Sequence, residues 1–149
     1  MIKVLFICHG NICRSPMAEF IFNDIIRQKG QKDNFEIASA ATSDEAVGCD
    51  IYYAAKACLD AHGIRYEKRK ARQIALEDFF NYDLIIAMEQ YNIDNLRREF
   101  PEADLGKVKL LLSFTERPGD VSDPWYTRDF EKAYEDISRG CTALFEKLR

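Results

Sequence analysis

A nine-residue segment near the start of the chain combines a nucleophile with a group that binds oxyanions. Cys8 begins the segment, Arg14 follows six residues later, and Ser15-Pro16 ends it. A cysteine thiolate is a strong nucleophile, and an arginine guanidinium can bind two phosphate oxygens at once. Among the five cysteines only Cys8 has an arginine six residues further on. The segment therefore predicts nucleophilic attack on a phosphate-like group.

The residues after Cys8 favour a loop whose amides converge on an anion. Gly10 and Asn11 adopt left-handed dihedral angles more readily than other residues, which lets successive N–H groups point into one concave nest. Ser15 as N-cap and Pro16 at the first helical position predict that a helix begins directly after the loop. Helix N-termini attract anions, so the same donors would stabilise a thiolate on Cys8.

The rest of the chain alternates short apolar runs with helical patterns. The apolar runs predict four strands, at 4–7, 35–38, 84–88 and 109–112. Apolar residues at helical spacing predict helices at 15–30, 51–62, 90–100 and 130–148. This alternation predicts an α/β fold, with an open parallel sheet of about four strands, helices on both faces, and a phosphate-binding loop after the first strand.

The composition limits the size, the compartment and the partners. The 149 residues fit a single domain over 1–149, without internal repeat or linker. The net charge of −4 argues against nucleic acid or an anionic membrane as partner, because both select a basic surface. No apolar run suits a signal peptide or a membrane span. An odd number of cysteines fits a reducing compartment, so we expect a cytoplasmic protein.

A carboxyl group followed by two aromatic residues lies within a predicted loop at 113–127. Asp123 precedes Pro124, which favours an extended backbone for the aspartate. Trp125 and Tyr126 come next, and their flat side chains suit the two sides of a phenyl ring. Hydrolysis of a phosphate ester needs a proton donor for the leaving group and then a base for water, and one carboxyl can serve as both. By these residues alone, an Asp-Pro turn with two partly buried aromatic side chains is the simpler interpretation.

The segment 8–16 resembles the signature loop of the low-molecular-weight protein tyrosine phosphatases, Cys-x-Gly-Asn-x-Cys-Arg-Ser-Pro, at every fixed position. The chain length, the order of elements, the stretch at 70–74 and the late Asp-Pro pair are also similar to that family. The resemblance implies Cys8 as nucleophile, Arg14 as phosphate clamp and Asp123 as general acid and base. The residues expected to bind the substrate are His9, Gly10, Asn11, Ile12, Cys13, Ser15, Trp125 and Tyr126.

The resemblance also implies supporting roles and a reaction. Asn11 braces the loop, Ser39 holds Asn11, and the Ser15 hydroxyl donates to the Cys8 sulfur. The expected substrate is a phosphotyrosine-containing protein or a small aryl phosphate, and the product is inorganic phosphate. We expect no cofactor and no metal, since two histidines are too few to build a zinc site with the loop cysteines.

Three other functions share parts of this pattern. Arginine phosphatases resemble the family but typically have threonine where this chain has Ile12, so we favour phosphotyrosine. Arsenate reductases need further cysteines near a segment that corresponds to 82–89, where this chain has none. A non-catalytic phosphate-binding adaptor would have little use for both Cys8 and Asp123.

A few positions depart from the family. Glu45 and Ala46 stand where many relatives have an aromatic wall residue, and Glu89 stands where relatives often have aspartate. The basic residues at 68–72 predict a solvated face or a surface that guides phosphorylated substrates.

The remaining cysteines allow two interpretations. Cys13 is either a packing residue or a partner that pairs with Cys8 under oxidation. Cys49, Cys58 and Cys141 are expected to be structural.

Overall fold

A four-stranded parallel sheet lies at the centre of the computed structural model, which describes residues 1–149 throughout. The strands are β1 (Ile2–Cys8), β2 (Phe35–Ala41), β3 (Leu84–Ala87) and β4 (Val108–Leu110). Their order across the sheet is β2-β1-β3-β4, and every pairing is parallel. The central positions of β1 and β3 explain their apolar sequences, because both faces of a central parallel strand are covered.

Six α-helices connect and cover the strands. They are α1 (Arg14–Gln28), α2 (Tyr53–Ala61), α3 (Asp78–Asn81), α4 (Gln90–Glu99), α5 (Pro124–Thr127) and α6 (Phe130–Leu148). Alternate side chains of β1 enter two separate cores. Val4 and Phe6 join the larger one with α1, α2 and α6, whereas Leu5 and Ile7 join the smaller one with α3 and α4. The α/β fold with helices on both faces is therefore confirmed. None of the helices has the length and apolar character of a membrane span.

Several element boundaries differ from the sequence expectations. β2 continues past 38 to Ala41, because its pairing with β1 extends to Cys8. β4 ends at Leu110, and the 3-10 turn Leu111–Phe114 follows it where the strand was expected to continue. Helices α3 and α5 were not predicted, since four residues are too few to show helical periodicity.

The sheet brings the chemically important segments to one edge. Cys8 at the end of β1 pairs with Ala41, and Ile7 pairs with Ala87 at the end of β3. The loops that follow β1, β2 and β3 therefore leave the sheet side by side. This is the edge at which open parallel sheets bind ligands.

Candidate active site

A cavity of about 390 Å³ opens at this edge, above the loop that follows β1. The sequence predicted most of its lining, and only Glu45, Ala46 and Cys49 were not among the expected site residues. The predicted residues that line the cavity are Cys8, His9, Gly10, Ile12, Cys13, Arg14, Asp123, Trp125 and Tyr126. The loop and the distant Asp-Pro segment thus share one cavity.

The sulfur of Cys8 contacts the first turn of α1. The backbone N–H of Ser15 donates to Sγ at 3.4 Å, and the Ser15 hydroxyl lies 3.0 Å from the same sulfur. Cys8 is only 3% exposed, although it forms part of the cavity wall. Amides at a helix N-terminus carry partial positive charge, so these contacts favour a negative charge at Sγ.

Ser15 is not the N-cap that the sequence predicted. Helix α1 begins at Arg14, Cys13 occupies the N-cap position, and no side chain caps the helix. The Ser15 hydroxyl is unavailable for capping because it contacts Cys8 and accepts a hydrogen bond from Asn11. The uncapped amide of Ser15 points at the sulfur instead.

Asn11 holds the loop in shape from inside the protein. Its φ is 60°, the left-handed conformation that the sequence predicted, and the residue is fully buried. Its Nδ2 donates to Ser15 Oγ at 2.8 Å and to Ser39 Oγ at 3.0 Å. Ser39 in turn donates to Glu19 at 2.6 Å, and burial raises the pKa of that carboxyl. The loop, α1 and β2 are therefore joined through one amide.

Gly10 does not have the left-handed conformation that we expected of it, since its φ is not positive. A β-carbon at this position would lie 3.7 Å from Ile12 and 3.9 Å from Ala46, which are ordinary contact distances. Because all three residues line the cavity, a side chain here would occupy space inside it.

Arg14 is buried and surrounded by acceptors. One terminal nitrogen donates to the Glu89 carboxylate and to the carbonyl of Val121 at 2.9 Å, and the other lies 3.3 Å from Asp123 Oδ2. Burial opposes the charge, but Cys8, Asp123 and Glu89 outweigh it and raise the pKa of Arg14. The guanidinium is a fixed cation at the cavity wall.

Asp123 is held at the start of α5. Its backbone is extended, with φ −82° and ψ 111°, as the following Pro124 predicted. One carboxylate oxygen accepts the N–H of Trp125 at 3.0 Å, and the other faces Arg14. The side chain is 22% exposed, so the carboxyl lies between the buried guanidinium and solvent.

The aromatic residues of the rim differ in how firmly they are held. Trp125 packs edge-on against Tyr52, with ring centres 4.8 Å apart, and the Arg128 guanidinium lies over both rings. The N–H of Tyr52 donates to the Ile12 carbonyl at 2.9 Å, which ties this wall to the loop. Tyr126, in contrast, is 79% exposed.

His9 contacts a charged side chain, whereas Cys13 is a buried thiol. His9 Nε2 lies 2.8 Å from a carboxylate oxygen of Glu45, and the ring is near that of Tyr91. Burial, with the nearby Cys8 and Asp123, raises the pKa of Cys13 to about 12, so its thiol keeps its proton.

A family profile described as low molecular weight phosphotyrosine protein phosphatase matches residues 3–149. The chain belongs to this family. It is 37% identical over 151 residues to the low molecular weight protein-tyrosine-phosphatase YfkJ of Bacillus subtilis, covering 100% of this chain and 97% of that protein. It is 40% identical to the low molecular weight phosphotyrosine protein phosphatase of Sus scrofa, covering 99% and 96%.

Solved structures agree with the sequence comparison. The crystal structure of YfkJ superposes on this phosphatase with a TM-score of 0.95, over 99% of this chain and 94% of that one. A Drosophila arginine phosphatase superposes with a TM-score of 0.89 at 28% identity, over 99% and 98%. The resemblance inferred from residues 8–16 is confirmed, and the family places the chain among the phosphoric monoester hydrolases.

Arg69 is a residue of this phosphatase whose position the sequence did not indicate. We expected the basic residues at 68–72 to form a solvated or substrate-guiding face. Instead, Arg69 donates to the carbonyl of Asn11 at 2.7 Å and to its Oδ1 at 2.5 Å, and the backbone N–H of Arg72 also reaches Oδ1. Burial lowers the pKa of Arg69. The signal was absent from the sequence pattern because the partners are 58 residues apart.

Two further residues of the site correct or refine the expectations. Cys49 is exposed and lines the cavity, so it is not the structural cysteine that we expected. Glu89 departs from the family's usual aspartate, yet its longer side chain reaches Arg14 while it also forms a capping box with Asn92 at the start of α4.

Proposed function

We propose that this phosphatase hydrolyses phosphotyrosine in proteins, and small aryl phosphates, through a phosphoryl group carried on Cys8. One observation supports this most directly. The Cys8 sulfur lies against the first turn of α1 in the same cavity as Arg14, and the guanidinium lies 3.3 Å from Asp123. A nucleophile, a phosphate clamp and a proton donor thus surround one space.

In the first step the Cys8 thiolate attacks phosphorus in line with the phenolic oxygen. The S–P bond forms while the P–O bond to the phenol breaks. Arg14 and the loop amides bind the three equatorial oxygens, on which the negative charge is concentrated. Protonated Asp123 gives its proton to the leaving oxygen, so the leaving group departs as a neutral phenol.

In the second step water hydrolyses the cysteinyl phosphate. The Asp123 carboxylate takes a proton from a water molecule while the water oxygen attacks phosphorus. The S–P bond breaks, and inorganic phosphate is released. The Ser15 hydroxyl, 3.0 Å from Sγ, stabilises the departing thiolate. Every proton and electron pair in this cycle is supplied by the chain, the substrate or water, so the mechanism requires no metal and no cofactor.

The cavity wall favours an aromatic phosphate ester. Ile12 offers an apolar surface in the lining, and the exposed side chains of Trp125 and Tyr126 line the same cavity. Phosphoarginine is a second candidate, because the solved relatives include an arginine phosphatase and because the Glu45 carboxylate at the rim suits a guanidinium. Since Glu45 is already paired with His9, we favour phosphotyrosine.

The wider setting is also proposed here. We expect residues 1–149 to act as one domain, in the cytoplasm, on phosphorylated proteins, with neither nucleic acid nor a membrane as partner. The net charge of −4 and five cysteines free of disulfides support this setting.

The proposal is tested with p-nitrophenyl phosphate and a phosphotyrosine peptide, in the presence of a chelator. Cys8→Ser is expected to abolish turnover. Asp123→Asn should slow hydrolysis of the peptide by about 10²–10⁴-fold. It should slow hydrolysis of p-nitrophenyl phosphate less, because the acidic leaving group of that substrate needs little protonation. Asp120→Asn, which changes an exposed aspartate in the same loop, is the control. Undiminished turnover by Cys8→Ser, or loss of activity with chelator, contradicts the mechanism.

Substrate class is tested by comparing phosphotyrosine and phosphoarginine peptides of the same sequence. We expect a higher kcat/KM for phosphotyrosine, and Ile12→Thr should shift the ratio toward phosphoarginine. A ratio that already favours phosphoarginine in the unaltered chain would make arginine phosphatase the better assignment.

A further inference from the structure

Three potential metal ligands converge on the side of the molecule where α2 meets α6. Cys58 and His62 are four residues apart, so they project from the same face at the end of α2. Glu131 lies in the first turn of α6. One donor atom from each of the three residues lies within 4.8 Å of the other two. Cys58 is buried whereas the other two are exposed, so the group is accessible from solvent on one side.

Two distances within this group can be compared with those of a tetrahedral zinc site. Cys58 Sγ is 3.7 Å from Glu131 Oε2, and His62 Nε2 is 2.6 Å from Glu131 Oε1. Zinc bonds of about 2.3 Å to sulfur and about 2.0 Å to nitrogen or oxygen place S and O about 3.5 Å apart, and N and O about 3.3 Å apart. The sulfur and one carboxylate oxygen are therefore already spaced for zinc, whereas the imidazole nitrogen, which faces the other carboxylate oxygen, has to move about 0.7 Å away from it.

The imidazole is also oriented by its surroundings. The ring of His62 stacks on that of Tyr134, with centres 3.7 Å apart and planes 11° apart. This stacking fixes the ring plane while Nε2 faces Glu131. Preorganised ligands lose little conformational entropy when they bind an ion.

We propose that Cys58, His62 and Glu131 bind one Zn²⁺, with water as the fourth ligand. The thiol proton leaves to solvent as the sulfur–zinc bond forms, and the His62–Glu131 hydrogen bond is exchanged for two bonds to the metal. Thiolate and imidazole ligands select zinc over magnesium or calcium, which prefer oxygen. None of the three residues lines the Cys8 cavity, so the site is separate from the proposed metal-free catalysis. It departs from our sequence expectation of no metal, which considered only the loop cysteines.

Bound zinc would connect the end of α2 to the start of α6. Because the ligands are assembled only in the folded chain, the ion should stabilise the folded state. We expect zinc at about 100 times its dissociation constant to raise the thermal midpoint by about 5 °C or more.

The site is tested with Co²⁺ as a spectroscopic probe, in the Cys8→Ser variant, which removes the cavity thiol. We expect one equivalent of Co²⁺ to produce a near-ultraviolet thiolate-to-metal band that Zn²⁺ then bleaches. Cys58→Ser should lose the band, and Glu131→Gln, a change on the surface, should weaken binding at least tenfold. Cys49→Ser, which removes the exposed cysteine, should leave the band intact and serves as the control.

The absence of a thiolate band in the Cys8→Ser variant would overturn the proposal. A band that persists in Cys58→Ser would do the same, because the sulfur would then come from another residue. Unchanged affinity in Glu131→Gln would remove the carboxylate from the ligand set and with it the three-residue site.

Discussion

At the scale of single residues, Arg14 shows how the cavity maintains a buried positive charge. A buried cation is costly unless it is paired and hydrogen-bonded. Glu89, Asp123 and the Val121 carbonyl provide those partners. When Asp123 becomes protonated, as the proposed acid must be, Glu89 remains as the carboxylate that balances the guanidinium. In the proposed mechanism the two carboxyls therefore divide the tasks of proton transfer and charge balance.

Ser15→Ala tests the hydroxyl beside the sulfur. Losing a hydrogen bond to a charged group costs about 1.5–3 kcal/mol, so we expect release of phosphate from Cys8 to slow by about tenfold to a hundredfold. Rapid-mixing kinetics should then show a larger burst of phenol followed by slower turnover. Ser138→Ala, which removes a hydroxyl of α6 that does not line the cavity, is the control. A variant with unchanged burst and turnover would show that the hydroxyl has no part in the second step.

At the scale of elements, the loop at 8–16 is supported from outside as well as by its own sequence. The segment 69–73 runs alongside the end of β2, where Gln73 forms a parallel bridge to Ala41. From this segment Arg69 and the Arg72 backbone reach Asn11, the left-handed residue of the loop. The loop is therefore held between α1 on one side and this segment on the other.

Arg69→Met removes the outer support of the loop. It leaves the buried Asn11 carbonyl and Oδ1 without a strong donor, and we expect it to lower the free energy of unfolding by about 1–3 kcal/mol. Misplacement of the loop should lower kcat at least about tenfold, since small shifts of catalytic groups have large effects. Lys70→Met, at the exposed neighbouring position, should change neither quantity. Equal effects of the two substitutions on kcat would indicate a general charge effect instead of loop support.

Gly140→Ala tests how closely α6 packs against the turn after β4. A β-carbon at Gly140 would lie 2.4 Å from Leu111 Cγ, so the buried leucine would have to move. Overpacking costs about 1–3 kcal/mol, which exceeds the roughly 1 kcal/mol that alanine gains over glycine inside a helix. We expect a lower urea midpoint. Thr142→Ala, on the exposed face of the same helix, should not destabilise the protein. A Gly140→Ala variant as stable as the parent would show that Leu111 moves aside at no cost in stability.

At the scale of the whole molecule, the sequence predicted best those features that are encoded by neighbouring residues. The apolar run before Cys8 and the loop after it predicted β1, the cavity base and the family. The N-cap prediction failed at Ser15 because its hydroxyl contacts a sulfur and an amide that only the folded loop brings near. Arg69 was missed because its partner is distant in sequence, and the strand order β2-β1-β3-β4 is set by packing of complete elements.

The acid stability of the molecule depends in part on Asp50, just before α2. The hydrogen bond from Lys56, together with backbone N–H groups of Ile51 and Arg69, lowers the pKa of Asp50 from 3.8 to about 2. The unfolded chain then binds the proton more readily than the folded one, so this contribution is present above pH 3.8 and is lost as the pH falls toward 2. Urea midpoints should be higher for the parent than for Asp50→Asn at neutral pH, and the difference should shrink below pH 4. A constant difference across this range would contradict the assignment.

The central claim is that a phosphoryl group is carried on the Cys8 sulfur during turnover. Acid quenching of the enzyme during hydrolysis of p-nitrophenyl phosphate, followed by peptide mass spectrometry, measures this directly. The account predicts a phosphate mass on the peptide that contains Cys8, at higher occupancy in Ser15→Ala and absent in Cys8→Ser. Full turnover with no phosphate on that peptide in either the parent or Ser15→Ala, or with the phosphate on another residue, would contradict it.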